Sequence, residues 1–512
     1  MTGTAALVGK IRVAVSRALV SRAVAWRVVA VLALVGLAGL YAERHAVGQY
    51  LSTTATASPH VIVLSSDDWG GLPPRERPED VAALADTLRQ CRDSLGRPAV
   101  LTVYMIPFEP DTRAMARSTG VPPVSRMGVS PMPCHPVAET PVLWSDQHGR
   151  DARGTHGQDA RATYLCRPAY DAASGLPVLW KSLADEGIVE IGFHGRDHWN
   201  AALYLELLRT QPAFHRAAAQ GRIPYRGDAA YDDLLARDAR LACLQRSFLD
   251  AASDPPRALP LDTQYRLIRE GLDAMYAQIG VRPIIAVAPG HRWDTLTARA
   301  LQAEGVVYLE TVSQPIVEPD ADGRLVATGE QAGYFSHPGD IDIVLRTDAY
   351  EPAWQKAFTS VHDRLWSLRQ RLACNVPAVI SLHKANFVGD DEAATARARD
   401  ELRQLLDLAK TEFPDVVFLS AADLGHYMHG RGDQARRGVD FTRTNLTPAG
   451  RLAVTVKAMW LCHAKWRAFG YAMAIALVWA LAVSARPRQD RAGLRGFKDL
   501  RIAVWKTKSL NS

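Results

Sequence analysis

The chain has 512 residues, of which 48% are hydrophobic and 22% are charged. This apolar content excludes wholesale disorder, and the length allows one large domain or two or three ordinary ones. The chain has only 6 cysteines, and none of them stands in a C-x-x-C pair. A disulfide framework and a thiolate zinc ribbon are therefore not expected.

The net charge of +6 is concentrated at the two ends of the chain. Residues 1–27 contain 5 basic and no acidic side chains, and residues 486–512 contain 8 basic and 2 acidic ones, so the residues between them carry a net charge of −5. Because the body is mildly acidic, the basic composition predicts no nucleic-acid partner.

Each basic tail adjoins an uncharged run, of 15 residues at 28–42 and of 18 residues at 468–485. A run of about 18 residues can span the hydrocarbon core, whereas one of 15 fits a transmembrane signal anchor or a cleaved signal peptide. The Lys and Arg residues of the tails predict that both tails are cytoplasmic. We therefore expect attachment to the cell membrane, with the body on the periplasmic or cell-surface side.

Segment 451–467, which precedes the second run, is predicted to be amphipathic. It is also basic, which counts against this orientation of the second run. The alternative is that residues 452–485 form two amphipathic or buried helices of a soluble protein.

Short β-branched runs alternate with helical stretches over residues 55–430. Continuous apolar runs of this length are typical of strands buried on both faces. The predicted strands are His60–Ser66, Ala99–Met105, Ile188–Phe193, Pro283–Ala288, Val306–Thr311, Ile341–Arg346 and Ala378–Leu382. The predicted helices are Glu79–Arg92, Ala229–Ala252, Leu261–Ile279, Ala353–Leu372 and Glu392–Glu412. The alternation predicts an α/β domain with a parallel sheet, either a (β/α) barrel or a doubly wound sheet.

Residues 121–168 interrupt this alternation and contain two near-identical octads, HGRDARGT at 148–155 and HGQDARAT at 156–163. Two copies are too few for a solenoid, so we interpret the segment as a low-complexity surface insertion whose histidines bind no metal. His426 and His429, near the end of the domain, are interpreted as part of a solvated helix face.

Polar side chains follow three of the predicted strands. Asp67 and Asp68 follow the first strand, His194 and His198 follow the third, and His383 comes at the end of the last. Because the carboxyl ends of parallel strands open onto one face, we expect these side chains to converge. The structural alternatives are a helix N-cap for the aspartates and a hydrogen-bonded strand-end histidine for His383.

His194 and His198 are the only two histidines in the chain that are four residues apart. Within one helical turn this spacing puts both imidazoles on one side. Two histidines and one carboxylate form a three-ligand site for a divalent metal ion, with an open position for water. Such an ion can activate water at neutral pH.

The three motifs are Asp-Asp after an early strand, H-x-x-x-H after a middle one and L-x-H at the end of a late one. They resemble the motifs of metal-dependent polysaccharide deacetylases, which are carbohydrate esterases. The resemblance covers about residues 59–425. It implies a partly open (β/α) barrel, often described as seven-stranded, and a polysaccharide substrate.

The resemblance also implies a role for each motif residue. Asp67 is expected to be the catalytic base, and Asp68, His194 and His198 are expected to hold one divalent ion, Zn²⁺ by preference. His383 is expected to be the acid that protonates the leaving group.

Two motifs of the family have no clear counterpart. The family has an Arg before a Pro in its third motif, to orient the base, and Val287 stands at that position here. Arg292 and His291 follow closely and are candidates for that role. The nearest match to the family's Asp-x-x-Asp-Trp motif is Asp340 and Asp342, without the Trp.

Trp69, Trp199 and Trp293 lie within a few residues of a motif. Indoles at the rim of a cleft can stack on the apolar faces of sugars, so these three, with His291 and Arg292, are predicted to bind substrate. Packing of the indoles at the rim of the barrel is the alternative.

We therefore expect a membrane-attached, extracytoplasmic hydrolase that removes N- or O-linked acetyl groups from a polysaccharide. Glycoside hydrolysis on the same barrel is the first alternative, and it requires a second carboxylate about 5–10 Å from the first. Asp294, Asp340 and Asp342 are candidates for it. The second alternative is a non-catalytic glycan-binding or polysaccharide-assembly component.

Overall fold

The computed structural model describes residues 55–118, 166–224, 229–251, 253, 255–352 and 360–462. Almost all of them belong to one compact unit, Gly48–Ala458. The predicted tails and apolar runs at both ends, and residues 121–165 of the predicted insertion, lie outside the described residues.

The strands of the described residues follow the apolar runs of the sequence closely. In chain order they are β1 (Ala55–Ser58), β2 (Val61–Gly70), β3 (Leu101–Ile106), β4 (Phe108–Pro110), β5 (Cys166–Pro168), β6 (Val189–Phe193), β7 (Leu249–Asp250), β8 (Arg257–Ala258), β9 (Ile285–Ala286), β10 (Tyr308–Val312), β11 (Pro315–Pro319), β12 (Leu325–Gln331), β13 (Asp342–Arg346), β14 (Asp348–Ala349), β15 (Ala378–His383), β16 (Val417–Leu419) and β17 (Thr442–Asn445). Each of the seven predicted strands overlaps one of them.

Nine of these strands form one sheet in which every pairing is parallel. Eight follow one another in the order β13-β10-β9-β6-β3-β2-β15-β14, and β16 pairs with the first residues of β2. Only Thr347 separates β13 from β14, and its backbone N–H donates to the carbonyl of Val379 in β15 at 3.1 Å. The two edges of the sheet therefore meet, and the sheet is a nearly closed parallel barrel.

The α/β class and the parallel barrel are confirmed, but the strand number is not the predicted seven. The eight-strand path includes the two-residue strand β14, and β16 adds a further pairing on β2. The sequence gives little signal for either strand, because each is only two or three residues long.

Helices cover the outside of the barrel. Within the described residues they are α1 (Pro78–Gln90), α2 (Thr112–Ser118), α3 (Leu176–Glu186), α4 (Ala201–Thr210), α5 (Pro212–Ala219), α6 (Ala229–Leu235), α7 (Leu261–Ile279), α8 (Thr295–Ala303), α9 (Val361–Leu372), α10 (Glu392–Glu412), α11 (Ala421–Met428) and α12 (Pro448–Cys462). Helices α7 and α10 have the predicted bounds. The helix predicted at 229–252 ends at Leu235, because the Asp238 side chain accepts the N–H of Arg240 and starts a separate 3-10 turn.

Two hydrophobic clusters hold the molecule together. The larger one fills the barrel and the space beneath its helices. The smaller one lies among α2, α4 and α5 and is built around Leu203, Tyr204 and Phe214. Strand β5, which contains the last three residues of the predicted insertion, pairs antiparallel with β4.

No helix among the described residues combines the length and apolar character that crossing a bilayer requires. The two runs that were predicted to cross the membrane, 28–42 and 468–485, lie outside the described residues. Helix α12 begins three residues before the predicted amphipathic segment and runs through its first half.

A short ribbon joins the two ends of the described chain. Strands β1 and β17 pair antiparallel, with Ala55 opposite Asn445 and Ser58 opposite Thr442. The backbone N–H of Ala57 also donates to the carbonyl of Asn375, just before β15 begins. The ribbon thus lies at the amino-terminal end of the barrel strands.

Candidate metal-dependent active site

The two aspartates lie where β2 leaves its regular pairing. The register between β2 and β3 shifts between Ser66 and Trp69, so Asp67 and Asp68 occupy a bulge. Asp68 has a φ of 70°, a left-handed conformation that is unfavourable for a residue other than glycine. The bulge turns the two neighbouring carboxylates toward different partners.

A buried lysine fixes the segment after this bulge. Lys384 is 1% exposed, and its Nζ donates to Glu76 Oε1 at 2.8 Å and to the carbonyls of Gly70 and Leu72. Glu76 in turn accepts the N–H of Gly70 at 2.7 Å. These bonds connect the end of β15 to the end of β2, and they help to stabilise the unfavourable backbone conformation at Asp68.

His194 and His198 converge on Asp68. Their Nε2 atoms lie 3.4 Å and 3.5 Å from the same oxygen, Oδ1, of Asp68. The two imidazoles leave the loop after β6 rather than the helical turn that we expected, because Gly195 at a φ of 81° reverses the chain between them. A Cβ at Gly195 would stand 2.8 Å from Pro289 Cγ, so only glycine fits there.

The tautomers and charges of these three groups bear on metal binding. His194 Nδ1 lies 2.9 Å from the carbonyl of Val287, which can only accept, so Nδ1 carries a proton and Nε2 of the neutral ring carries the lone pair. Burial would lower the pKa of His194, but the charges of Asp67 and Asp68 and the hydrogen bond of Asp68 raise it, so a metal ion would displace the Nε2 proton. Burial lowers the pKa of His198 to about 4, so this ring is neutral near pH 7. Burial alone would raise the pKa of Asp68, but the histidines hold it well below its usual range. With His194 neutral, three electron-pair donors face one another.

Two nitrogens and one carboxylate oxygen are the ligand set of a three-coordinate protein site for zinc. One ligand atom from each of Asp68, His194 and His198 lies within 4.8 Å of the others. The side chains of the histidines are 3% and 7% exposed, whereas that of Asp68 is 22% exposed. The residues thus fit a divalent ion that is held by two buried imidazoles and is accessible to solvent on the side of Asp68.

Arg346 orients Asp67. It is the last residue of β13, and its Nη1 and Nη2 donate to Asp67 Oδ2 and Oδ1 at 2.5 Å and 2.6 Å. Its Nε donates to Glu310, which also accepts from Tyr104 Oη at 2.6 Å and from Ser65 Oγ at 2.9 Å. The guanidinium that binds Asp67 therefore comes from β13, whereas the resemblance implied an arginine at the position of Val287.

The electrostatics keep Asp67 ionised. Burial would raise the pKa of its carboxyl, but the charge and hydrogen bonds of Arg346, with the charges of His194 and His383, hold that pKa well below its usual range. Asp67 is therefore a fixed, charged carboxylate beside Asp68.

His383 lies near the carboxylate oxygen of Asp68 that does not face His194 and His198. It pairs in register with Asp67 across β15 and β2, and its Nε2 lies 3.9 Å from Asp68 Oδ2. Its Nδ1 donates to Glu351 Oε1 at 2.6 Å, and Asn386 Nδ2 donates to the other oxygen of Glu351 at 2.7 Å. Burial would lower the pKa of His383, but the hydrogen bond and charge of Glu351 raise it to about 9. His383 is therefore protonated at neutral pH.

The residues that we expected to bind substrate lie in different environments. His291 is at the site, with Nε2 at 3.5 Å from Arg346 Nη1, and burial lowers its pKa to about 3. Arg292 is exposed. Neither residue takes the place of the family's arginine, because Arg346 makes both hydrogen bonds to Asp67.

The three tryptophans are buried rather than placed on an open rim. Trp69, Trp199 and Trp293 are 0%, 5% and 4% exposed. The indole of Trp69 packs edge-on against Trp180 at 5.0 Å, and that of Trp293 donates to Thr311 Oγ1 at 3.0 Å. Their burial agrees with the alternative that the three indoles pack within the protein, because a sugar cannot stack on an indole whose faces are buried.

Of the three carboxylates considered for glycoside hydrolysis, one caps a helix and two lie at the other end of β13 from Arg346. Asp294 is fully buried and caps helix α8 through the N–H of Thr297. Asp342 begins β13, whereas Arg346 ends it, and Asp340 precedes Asp342 on the same side. Four residues of strand span about 13 Å, so neither is beside the scissile bond of a substrate bound at Asp67.

No protein-family model matches the chain, and no curated protein matches it. Solved structures similar to it include a proposed polysaccharide deacetylase from Mycobacterium smegmatis, at 12% identity and a TM-score of 0.32 over 75% of this chain and 94% of that chain. T48 deacetylase with substrate has 11% identity and a TM-score of 0.26 over 73% and 92%. The Xyl-CE4 domain of a multidomain xylanase from the hindgut metagenome of Trinervitermes trinervoides has 10% identity and a TM-score of 0.28 over 72% and 91%. At these identities and TM-scores, the similarity assigns no function to the chain.

Proposed function

We propose that this protein is a metal-dependent hydrolase that removes acetyl groups from a polysaccharide. The observation that carries the proposal is the convergence of Asp68, His194 and His198, with Asp67 and His383 on either side of them. When bound, a divalent ion at this triad supplies a Lewis acid that polarises the acetyl carbonyl and lowers the pKa of water. The ion that we propose is Zn²⁺, since two imidazoles and one carboxylate suit it.

Two residues of the chain move the protons. Asp67, ionised and fixed by Arg346, accepts the proton of the attacking water. His383, protonated at neutral pH, donates its proton to the departing amine or alcohol. An amine leaves poorly without a proton. The proposed reaction therefore needs an acid, His383, in addition to a base, Asp67.

We also propose that the protein is attached to the cell membrane with this site outside the cytoplasm. The support is the pair of uncharged runs, at 28–42 and 468–485, each with a basic tail on its outer side. Attachment would keep the enzyme near an envelope or exported polysaccharide. Fractionation of cells that express the full-length chain tests this, and recovery only in the soluble fraction would contradict it.

Asp67→Asn tests the proposed reaction. Asparagine keeps the shape of the side chain but cannot take up the proton, so acetate release should fall by about 10²–10⁴-fold. Bound zinc should be unchanged, because Asp67 is not one of the three ligands. The measurement is acetate released from acetylated glucosamine and galactosamine polymers by the full-length protein.

Asp80→Asn is the matched control, since Asp80 is also a buried carboxylate paired with an arginine, Arg77, but lies in helix α1 away from the site. It should retain wild-type acetate release. New reducing ends in place of acetate would favour glycoside hydrolysis. Full zinc occupancy without any acetate release would favour a non-catalytic glycan-binding protein.

Glu351→Gln should shift the pH dependence of turnover. The pKa of His383 is raised to about 9, so turnover that needs its proton is present below that pH and is lost as the pH rises through 9. Without the charge of Glu351 this pKa should fall, and the alkaline limb of the kcat profile should move to lower pH. An unchanged limb would show that His383 is not the acid. Glu401→Gln, which alters a carboxylate bonded to Tyr350, is the control and should leave the limb in place.

A further inference from the structure

A second group of possible metal ligands lies at the opposite end of the barrel strands. His337, Asp342 and His429 each offer one ligand atom, and these atoms lie within 4.8 Å of one another. Asp342 is the first residue of β13, whereas Arg346 at the candidate active site is its last. A strand of this length separates the two ends by about 13 Å, so this group is distinct from the first.

His429 presents a lone pair to Asp342. Its Nε2 lies 3.0 Å from the carbonyl of Ile343, and because a carbonyl can only accept, Nε2 carries the proton. The His429 side chain is 4% exposed. Its other ring nitrogen, Nδ1, which carries the lone pair of the neutral imidazole, lies 3.4 Å from Asp342 Oδ1. Two acceptors thus face each other, which is the arrangement of two ligands of one ion.

The other two contacts complete a three-ligand set. His337 Nδ1 lies 2.6 Å from the same oxygen, Oδ1, of Asp342. Arg431 binds the second oxygen, Oδ2, and so holds the carboxylate with Oδ1 toward the imidazoles. The carbonyl of Ile343 thus fixes the orientation of His429, and the guanidinium of Arg431 fixes that of Asp342. Metal ligands are commonly oriented by such hydrogen-bond partners.

The surroundings give an ion a route to this group. The His337 side chain is 54% exposed, whereas those of Asp342 and His429 are 11% and 4% exposed. His337 can therefore exchange its Nδ1 proton with solvent, and the ion can enter from that side. The expectation that His426 and His429 form a solvated helix face is wrong, because His426 is buried as well, with Nδ1 at 2.8 Å from Tyr308 Oη.

We propose that His337, Asp342 and His429 bind a second divalent transition-metal ion of the zinc class. The ion would be held by His337 Nδ1, Asp342 Oδ1 and His429 Nδ1, with water in the remaining position. These residues come from the loop before β13, from β13 itself and from the end of α11. Such an ion would connect helix α11 to the first residue of β13.

His337→Gln tests the site in the full-length protein. After treatment with a chelator and dialysis against ZnCl₂ in the presence of a competing chelator, this variant should contain one equivalent of zinc fewer than the wild type. Glutamine at this half-exposed position should not disturb folding. His60→Gln is the matched control, because His60 Nδ1 also lies 2.6 Å from a carboxylate, that of Asp415, without a second imidazole beside it.

The His60→Gln protein should keep the zinc content of the wild type. Equal zinc in the His337→Gln and His60→Gln proteins would overturn the proposal. A second measurement uses the melting temperature in a His194→Ala background, where added ZnCl₂ should raise it and where the further change His337→Gln should remove that rise. No rise in the His194→Ala protein would also overturn it. Neither readout depends on acetate release, so the outcome is separate from that of the proposed deacetylation.

Discussion

His194→Ala is expected to remove one equivalent of zinc from the full-length protein and to reduce acetate release by more than about 10²-fold. Asp68 and His198 would remain, and two ligands hold zinc far less tightly than three. The His194 ring also donates to the carbonyl of Val287, which fixes its orientation and its tautomer. Zinc content by elemental analysis and acetate release are measured on the same preparation.

His215→Ala controls for the loss of a buried imidazole. His215 is 4% exposed and lies in helix α5, which belongs to the smaller hydrophobic cluster. This variant should keep its zinc and its activity. If the His194→Ala protein bound as much zinc as the His215→Ala protein, the triad would not be the metal site.

Arg346→Met is expected to destabilise the protein by about 3–5 kcal/mol at neutral pH. The substitution leaves the carboxylates of Asp67 and Glu310 buried without their cation, and an unpaired buried charge is costly. The loss should be smaller at acidic pH, because carboxyls that lack the arginine have higher pKa values and can become neutral there. The free energy of unfolding in denaturant, measured at both pH values, checks the size and the sign.

Arg89→Met is the matched control for this substitution. Arg89 also binds two carboxylates, those of Asp86 and Glu186, but at the surface. Exposed pairs of this kind contribute little, so the control should lose less than about 1 kcal/mol. Similar losses for both variants would mean that the buried network does not hold Asp67 in the way we describe.

The sequence predicted the sheet well because burial on both faces leaves a strong signal. Each of the seven predicted strands overlaps a strand of the barrel, and the polar residues that follow them do meet at one end. The sequence missed β14 and β16, whose two or three residues are too short for an apolar run. It also placed His194 and His198 in a helical turn, whereas a left-handed glycine between them forms a loop.

The side chains that bind Asp67 and His383 could not be found by motif. Arg346 and Glu351 lie 279 and 32 residues from the side chains that they bind, Asp67 and His383. A signal for Arg346 does exist, since it is a charged residue at the end of the apolar strand IDIVLR. In a parallel sheet such a residue is directed to the same end as the other site residues. That Arg346 of β13 would bind Asp67 follows only from the folded barrel.

The β1–β17 ribbon connects parts of the domain that are far apart in the sequence. Ala55 and Asn445 lie opposite each other, so the first strand of the described chain pairs with its last strand. The ribbon is at the amino-terminal end of the barrel strands, remote from Asp68 and His383. Substitutions in the ribbon are therefore separated from the candidate active site by the length of those strands.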